Sequence, residues 1–258
     1  MTVFIKLVLI FFIGAMCGWV MELFFRRFAH KKWVNPGFLA GPWLPLYGLG
    51  LLGLYGMSVI DLSFIGNPIW EKVVLILGIT VVMTLLEYVT GLIFIKGLKV
   101  KLWDYSDRLG NIQGIICPLF TLIWGAIGAL YNLLLHEHVC VAVNYISGHL
   151  EYSYILGILS GIFIMDNVYS FNVVARIKKW ATEHDIVVRY EQLRLGIAKR
   201  AEKAKQKTNF FFSLNGPKGV IEELNKYFSE QGKKFAEERN RKAKGNDSDS
   251  VTDASENE

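Results

Sequence analysis

Cysteine is scarce in this chain. Three stand in 258 residues, Cys17, Cys117 and Cys140, too far apart to imply a disulfide framework or a metal-ligand motif. Glycine-rich phosphate loops ending in Lys-Ser/Thr are missing, so the chain does not bind ATP by itself in the P-loop manner. There is no Gly-x-Ser-x-Gly elbow and no His-Glu-x-x-His pair, so the usual hydrolase signatures are missing too. No enzyme activity and no cofactor are expected. Lys and Arg are absent from 61–68 and from 136–151. A secretory signal has an apolar core of about 7–15 residues and a small-residue cleavage site. The first apolar run, Val3 to Phe25, is longer and ends at no such site, so it reads as a retained membrane helix.

What is abundant is apolar. Hydrophobic residues make up 52% of the chain, most of them before residue 175. A bilayer crossing needs about 20 mostly apolar residues. Five segments answer to that: 3–25, 43–60, 70–94, 115–135 and 152–174. The expected fold is all-α, a polytopic bundle of five transmembrane helices over residues 1–174, with a cytoplasmic helical tail. Gly14 and Gly18 on the first helix, the Gly-rich second helix, and Gly157 and Gly161 on the fifth read as helix-packing seams. The basic loops hold Arg26, Arg27, Lys31 and Lys32, then Lys96, Lys99, Lys101 and Arg108. With five spans these loops and the tail share one side, which the positive-inside rule makes cytoplasmic and leaves the N-terminus outside.

Beyond residue 174 the character changes. Residues 175–244 carry 18 Lys or Arg against 9 Asp or Glu. A basic helix is expected from Arg176 to Lys207, a turn at Asn215-Gly216-Pro217, an amphipathic helix from Val220 to Phe235, and an acidic disordered end over 245–258. Such a tail beside a bilayer attracts the anionic inner leaflet. Nucleic acid is not an expected partner, because no base-reading motif accompanies the charge; a homo-oligomer is left open.

One pattern occurs twice. Gly18-Trp19 and Glu22 close the first run, a basic loop follows with Trp33 and Asn35-Pro36-Gly37-Phe38, then Pro42 and Tyr47-Gly48 open the next. Glu87 closes the third run, followed by Trp103-Asp104-Tyr105-Ser106, Asn111-Ile112-Gln113-Gly114, Pro118 and Trp124-Gly125. This is a duplicated two-helix hairpin, of the kind seen within transporter folds. Glu22 either pairs with Arg26 one turn on or joins Glu87 in a shared polar pocket. Glu87 has no cation at i+3 or i+4 and needs a partner from elsewhere, such as Lys101, Arg108 or a backbone donor. Asn35 and Asn111 read as turn builders where the chain re-enters the bilayer. Trp103, Asp104 and Tyr105 read as an interfacial aromatic belt with an Asx-type turn. Asp166 costs about 2.5–3.5 kcal/mol in mid-helix; it carries an ion or proton, or accepts an interhelical hydrogen bond. His136, His138 and His149 fall in an expected outer loop with Glu137 and Glu151, where nothing in the spacing makes a metal site. The candidate pocket residues are thus Glu22, Asn35, Tyr47, Glu87, Trp103, Asp104, Tyr105, Asn111 and Asp166.

These blocks resemble the ABC-transporter type IV family, small multi-pass proteins of bacterial membranes. The resemblance runs through Gly18-Trp19 with Glu22, Asn35-Pro36-Gly37-Phe38-Leu39-Ala40-Gly41-Pro42, Pro45-Leu46-Tyr47-Gly48, Leu86-Glu87-Tyr88-Val89-Thr90-Gly91, Trp103-Asp104-Tyr105-Ser106 and Asn111-Ile112-Gln113-Gly114-Ile115-Ile116-Cys117. It implies a permease-like membrane subunit served by a separate ATPase. Three positions depart from the family pattern: Pro36 and Leu119 where it has Arg, and Ile95 where it has Glu. The alternative is a membrane scaffold or envelope-assembly factor that acts through its tail.

Overall fold

Prolines set the helix starts. In the computed structural model of the chain, Pro45, Pro68 and Pro118 each occupy the beginning of a helix, where a fixed φ is an advantage and the missing N–H is no loss. The structure describes residues 2–31, 33–184, 186–190, 192, 193, 195 and 229. Helix α1 runs Thr2–His30, α2 Pro45–Ser58, α3 Pro68–Leu92, α4 Pro118–Leu130, α5 His136–Gly148 and α6 Leu150–Glu183. Single π-helical turns, Ile93–Gly97 and Tyr131–Leu135, extend α3 and α4. Two short strands, β1 (Val100–Lys101) and β2 (Val188–Arg189), pair in parallel. At the start of α3 the Asn67 side chain accepts from Ile69 N at 2.9 Å and from Trp70 N at 3.4 Å, satisfying two orphan donors.

Four helical stretches are long and apolar enough to cross a membrane: Val3–Ala29, Pro68–Gly97, Pro118–Gly148 and Leu150–Glu183. Helix α2 has 14 residues, a rise of about 21 Å, short of the ~30 Å hydrocarbon layer. The outer surface is apolar along these helices; Leu77, Val81 and Leu85 of α3 and Ile158, Ile162 and Met165 of α6 are all exposed. Packing inside relies on small residues. A Cβ at Gly14 would lie 2.7 Å from Leu51 Cβ, and one at Gly18 would collide with the Tyr47 ring, so α1 and α2 approach closely. In the second hairpin Gly125 and Gly128 of α4 admit Thr80 and Ile79 of α3. One core joins Phe12, Ala15, Leu39, Trp43 and Leu156; another joins Leu54, Ile79, Met83 and Tyr131.

Several expectations need correction. The stretch 136–151 is not a loop: α5 continues from α4, because residues 131–147 contain neither Gly nor Pro to stop a helix. His136 sits against the Tyr55 and Tyr131 rings, at 5.8 and 5.6 Å between centroids. No group of His, Cys, Asp and Glu able to hold a metal exists among the described residues. The basic helix expected over 176–207 is interrupted after Glu183, where the β-branched run Ile186-Val187-Val188 turns extended and joins β1; Tyr190, Gln192, Leu193 and Leu195 are helical again, and 196–207 lie outside the described residues. Helix α6 runs on past residue 174 to Glu183. Gly157 and Gly161 have no described atom within 4 Å of their Cβ positions, so they form no seam within this chain. The amphipathic helix and acidic end expected past residue 219 lie outside the described residues, Ser229 apart.

Candidate functional site

The first glutamate is positioned by glycine. Tyr47 lies directly on the α1 backbone at Gly18, which brings its hydroxyl to donate to Glu22 Oε2 at 3.2 Å. Arg26 Nε donates to Glu22 Oε1 at 3.1 Å. The pair with Arg26 is therefore present, and the tyrosine of α2 is added to it.

The second glutamate has different company. Glu87 is 4% exposed. Its Oε1 accepts from the Tyr105 hydroxyl and its Oε2 from Trp124 Nε1, each at 3.0 Å. Neither Lys101 nor Arg108 serves it, contrary to expectation. Lys101 Nζ is held instead by Asp104 Oδ1 at 2.6 Å. Tyr47 of α2 and Trp124 of α4 act alike: each offers an aromatic donor to a glutamate of the preceding long helix, Glu22 of α1 and Glu87 of α3. Tyr105 stacks on Phe120, with centroids 4.3 Å apart and planes within 11°. Burial and the Glu87 carboxylate push its phenol far up, so it stays a hydrogen-bond donor.

Glu22 and Glu87 line one cavity of about 390 Å³. Arg26, Asn35, Tyr47, Trp103, Tyr105 and Trp124 share its wall, and Phe38, Phe94, Phe171 and Tyr190 complete an aromatic side. Phe38 packs edge-on against both Phe94 and Phe171, at 5.0 and 5.5 Å. Tyr190, from the segment that carries β2, donates to the Phe38 carbonyl at 3.3 Å.

Three of the candidate residues, Asp104, Asn111 and Asp166, support the cavity without lining it. Asn35, which does line it, also builds its loop: Oδ1 accepts from Trp19 Nε1 at 3.0 Å and Gly37 N at 3.2 Å, and Nδ2 donates to the Leu39 and Ala40 carbonyls. Asn111 does the same in the second loop, donating to the Ser106 and Arg108 carbonyls and accepting from Gly114 N at 3.0 Å. Asp104 ties that loop together. Its carboxylate accepts from Lys101 Nζ and Ser106 N and pairs with Arg189 Nη2 at 2.9 Å. Burial raises Asp104, but the Lys101 and Ser106 donors outweigh it and hold the group at about 2.

Asp166 is a structural acceptor. The first loop dips between α1 and α6, where Leu44 N donates to the Ala15 carbonyl at 3.0 Å. Asp166 Oδ1 accepts from Ala40 N at 3.0 Å and from Ser170 Oγ at 3.1 Å; Oδ2 accepts from Gly41 N at 2.8 Å and from Trp43 Nε1 at 2.7 Å. Non-helical backbone inside a bilayer is tolerated only when its polar groups find partners. Asp166 supplies those partners, which gives an acid in mid-helix a structural role.

Reasoning from the chain alone missed Trp124, Tyr190 and Arg189. Trp124 could have been read from its place in the repeat. Tyr190 and Arg189 follow the membrane helices in a stretch with a helical charge pattern, and no local signal marks their return.

The chain was compared with known proteins. No curated protein and no solved structure matches it. The family model described as "Putative ABC-transporter type IV" matches residues 9–171, a span that holds both hairpins and Asp166 but not β2 or Tyr190. With most of its length matched and four helices fit to cross a bilayer, the chain is a membrane protein belonging to the ABC-transporter type IV family.

Proposed function

We propose that this chain is the permease-like membrane subunit of an ABC-type transporter, working with a separate ATPase, and that the cavity between its hairpins holds the transported molecule. The observation that carries this reading is the shared cavity: two repeats each contribute a glutamate and an aromatic donor to its wall. Sites at the interface of internal repeats are a recurring feature of transporters.

In this reading α2 is a fifth, thinner crossing. Two observations support it. The loops 31–44 and 98–117 surround the same cavity, and Asn132 Nδ2, past the end of α4, donates to Ser58 Oγ at the end of α2 at 3.2 Å. Both hairpins thus run from one face to the other. The cavity opens on the cytoplasmic side, where the basic loops lie, and the N-terminus is outside. Purification in mild detergent followed by mass spectrometry tests the assignment: an ATPase subunit is expected in the complex. Repeated purification without one, with function lost on removal of the tail but kept in Glu22→Gln and Glu87→Gln, would instead make the protein a scaffold.

A further inference from the structure

The wall of the cavity carries two carboxylates, Glu22 and Glu87, and among the described residues one cation, Arg26. Arg26 is bonded to Glu22. Glu87 therefore stands in the wall with neutral donors only, a phenol and an indole. A carboxylate has about four acceptor positions, and these two bonds leave room for more. A buried charge without a counter-charge is costly, and an arriving cation would remove that cost.

The same surroundings argue against a bare metal ion. Hard cations such as Ca²⁺ and Mg²⁺ need about six or more oxygen ligands, and an indole N–H is a donor that cannot ligate. The lining instead combines a carboxylate with aromatic faces: Trp103 and Trp124, and the Phe38, Phe94 and Phe171 group. Aromatic faces attract ammonium groups, most strongly where water is excluded. At about 390 Å³ the space exceeds what a single inorganic ion fills and lies within the ~300–1,000 Å³ range of small-molecule sites.

We infer that the cavity takes an amphipathic organic cation, its ammonium head against Glu87 and its apolar body against Phe38, Phe94 and Phe171. The assignment rests on the cavity being the substrate site. It is tested on the purified full chain in detergent with no ATPase present, so its outcome does not depend on co-purification. Three probes of similar shape are titrated calorimetrically: benzyltrimethylammonium, its uncharged carbon isostere neopentylbenzene, and benzenesulfonate. Saturable binding is expected for the cation alone. It should weaken about tenfold or more in Glu87→Gln and hold in Glu71→Gln, which neutralises an acid at the opposite end of α3. Equal binding of the uncharged isostere, preference for the sulfonate, or no saturable cation binding would each overturn the assignment on the unaltered protein. Unchanged affinity in a folded Glu87→Gln would do so as well.

Discussion

Asp166 and Gly114 show how much of this membrane protein depends on single atoms. Removing the Asp166 carboxylate leaves the Gly41 N–H and the Trp43 indole without their acceptor and Ala40 N with Ser170 Oγ alone, at about 1–3 kcal/mol for each buried donor left unpaired. Asp166→Ala should lower the thermal midpoint in detergent sharply, and Asp166→Asn, which keeps one carbonyl oxygen, should recover part of the loss. If Asp166 were an ion carrier rather than an acceptor, both variants would keep their midpoints. Gly114 is constrained twice. Its φ is +66°, and a Cβ there would lie 2.6 Å from Lys101 Nζ and from Ser106 Oγ. Gly114→Ala should therefore loosen the loop that presents Tyr105 to Glu87, read as faster amide exchange over residues 101–116. Asp104 adds a pH dependence. Its folded value, about 2, lies below the ordinary 3.8. Its contribution is complete above about 4 and is lost as pH falls through the folded value. Acid-induced loosening of this loop between about pH 4 and 2 should be absent in Asp104→Asn, as followed by tryptophan fluorescence.

At the level of elements, the segment carrying β2 is the least expected part of the fold. Val188 N donates to the Lys99 carbonyl at 3.0 Å, Val188 pairs with Val100, and Arg189 reaches Asp104. The end of α6 is thereby tied to the second hairpin's loop. A short thiol cross-linker should join Val100→Cys to Val188→Cys in a chain whose three native cysteines are replaced, and Arg189→Glu, which sets a second carboxylate beside Asp104, should reduce the yield. Equal cross-linking in both backgrounds would mean that the ion pair does not hold the strands together. Long helices were legible from apolar length, and the two loops from Asn, Gly and Pro at matched spacing, because those residues act through local backbone geometry. The return of Val188 was not legible. Two paired residues per strand are fixed by tertiary contact, and Lys178, Lys179 and Arg189 mimic the polar face of a continuing helix. The loop reading of 136–151 failed for a related reason: histidines and a glutamate outweighed the absence of any helix breaker. Glu22, Glu87, Tyr47 and Tyr105 stood out as candidates, whereas which aromatic serves which acid was set by tertiary packing, as at Gly18, where the Tyr47 ring occupies the glycine's vacant side.

For the molecule as a whole, the arrangement inverts that of a water-soluble bundle. Large apolar side chains cover the outside of α1, α3, α4 and α6, while Glu87, the least exposed acid among the described residues, faces inward. An apolar surface on that scale needs lipid or detergent. In the orientation proposed above, the basic loops face the cytoplasm. A thiol placed at Ser63, in the turn between α2 and α3, should react with an impermeant reagent added outside intact cells, and one placed at Ser106 only after the cells are opened. The reverse pattern would turn the cavity to the other face.

Tyr190 also has a consequence for timing. The ribosome delivers the chain from its first residue onward, so both hairpins, with Glu22, Glu87 and the loops between them, leave the exit tunnel before Tyr190, the last aromatic of the wall among the described residues, is made. During that interval the nascent protein holds the chamber without Tyr190 and without the β1–β2 pairing. Synthesis arrested shortly before Val188 should yield an inserted product whose second loop lacks its β2 partner, and any chaperone or insertase that attends this protein would find its client there.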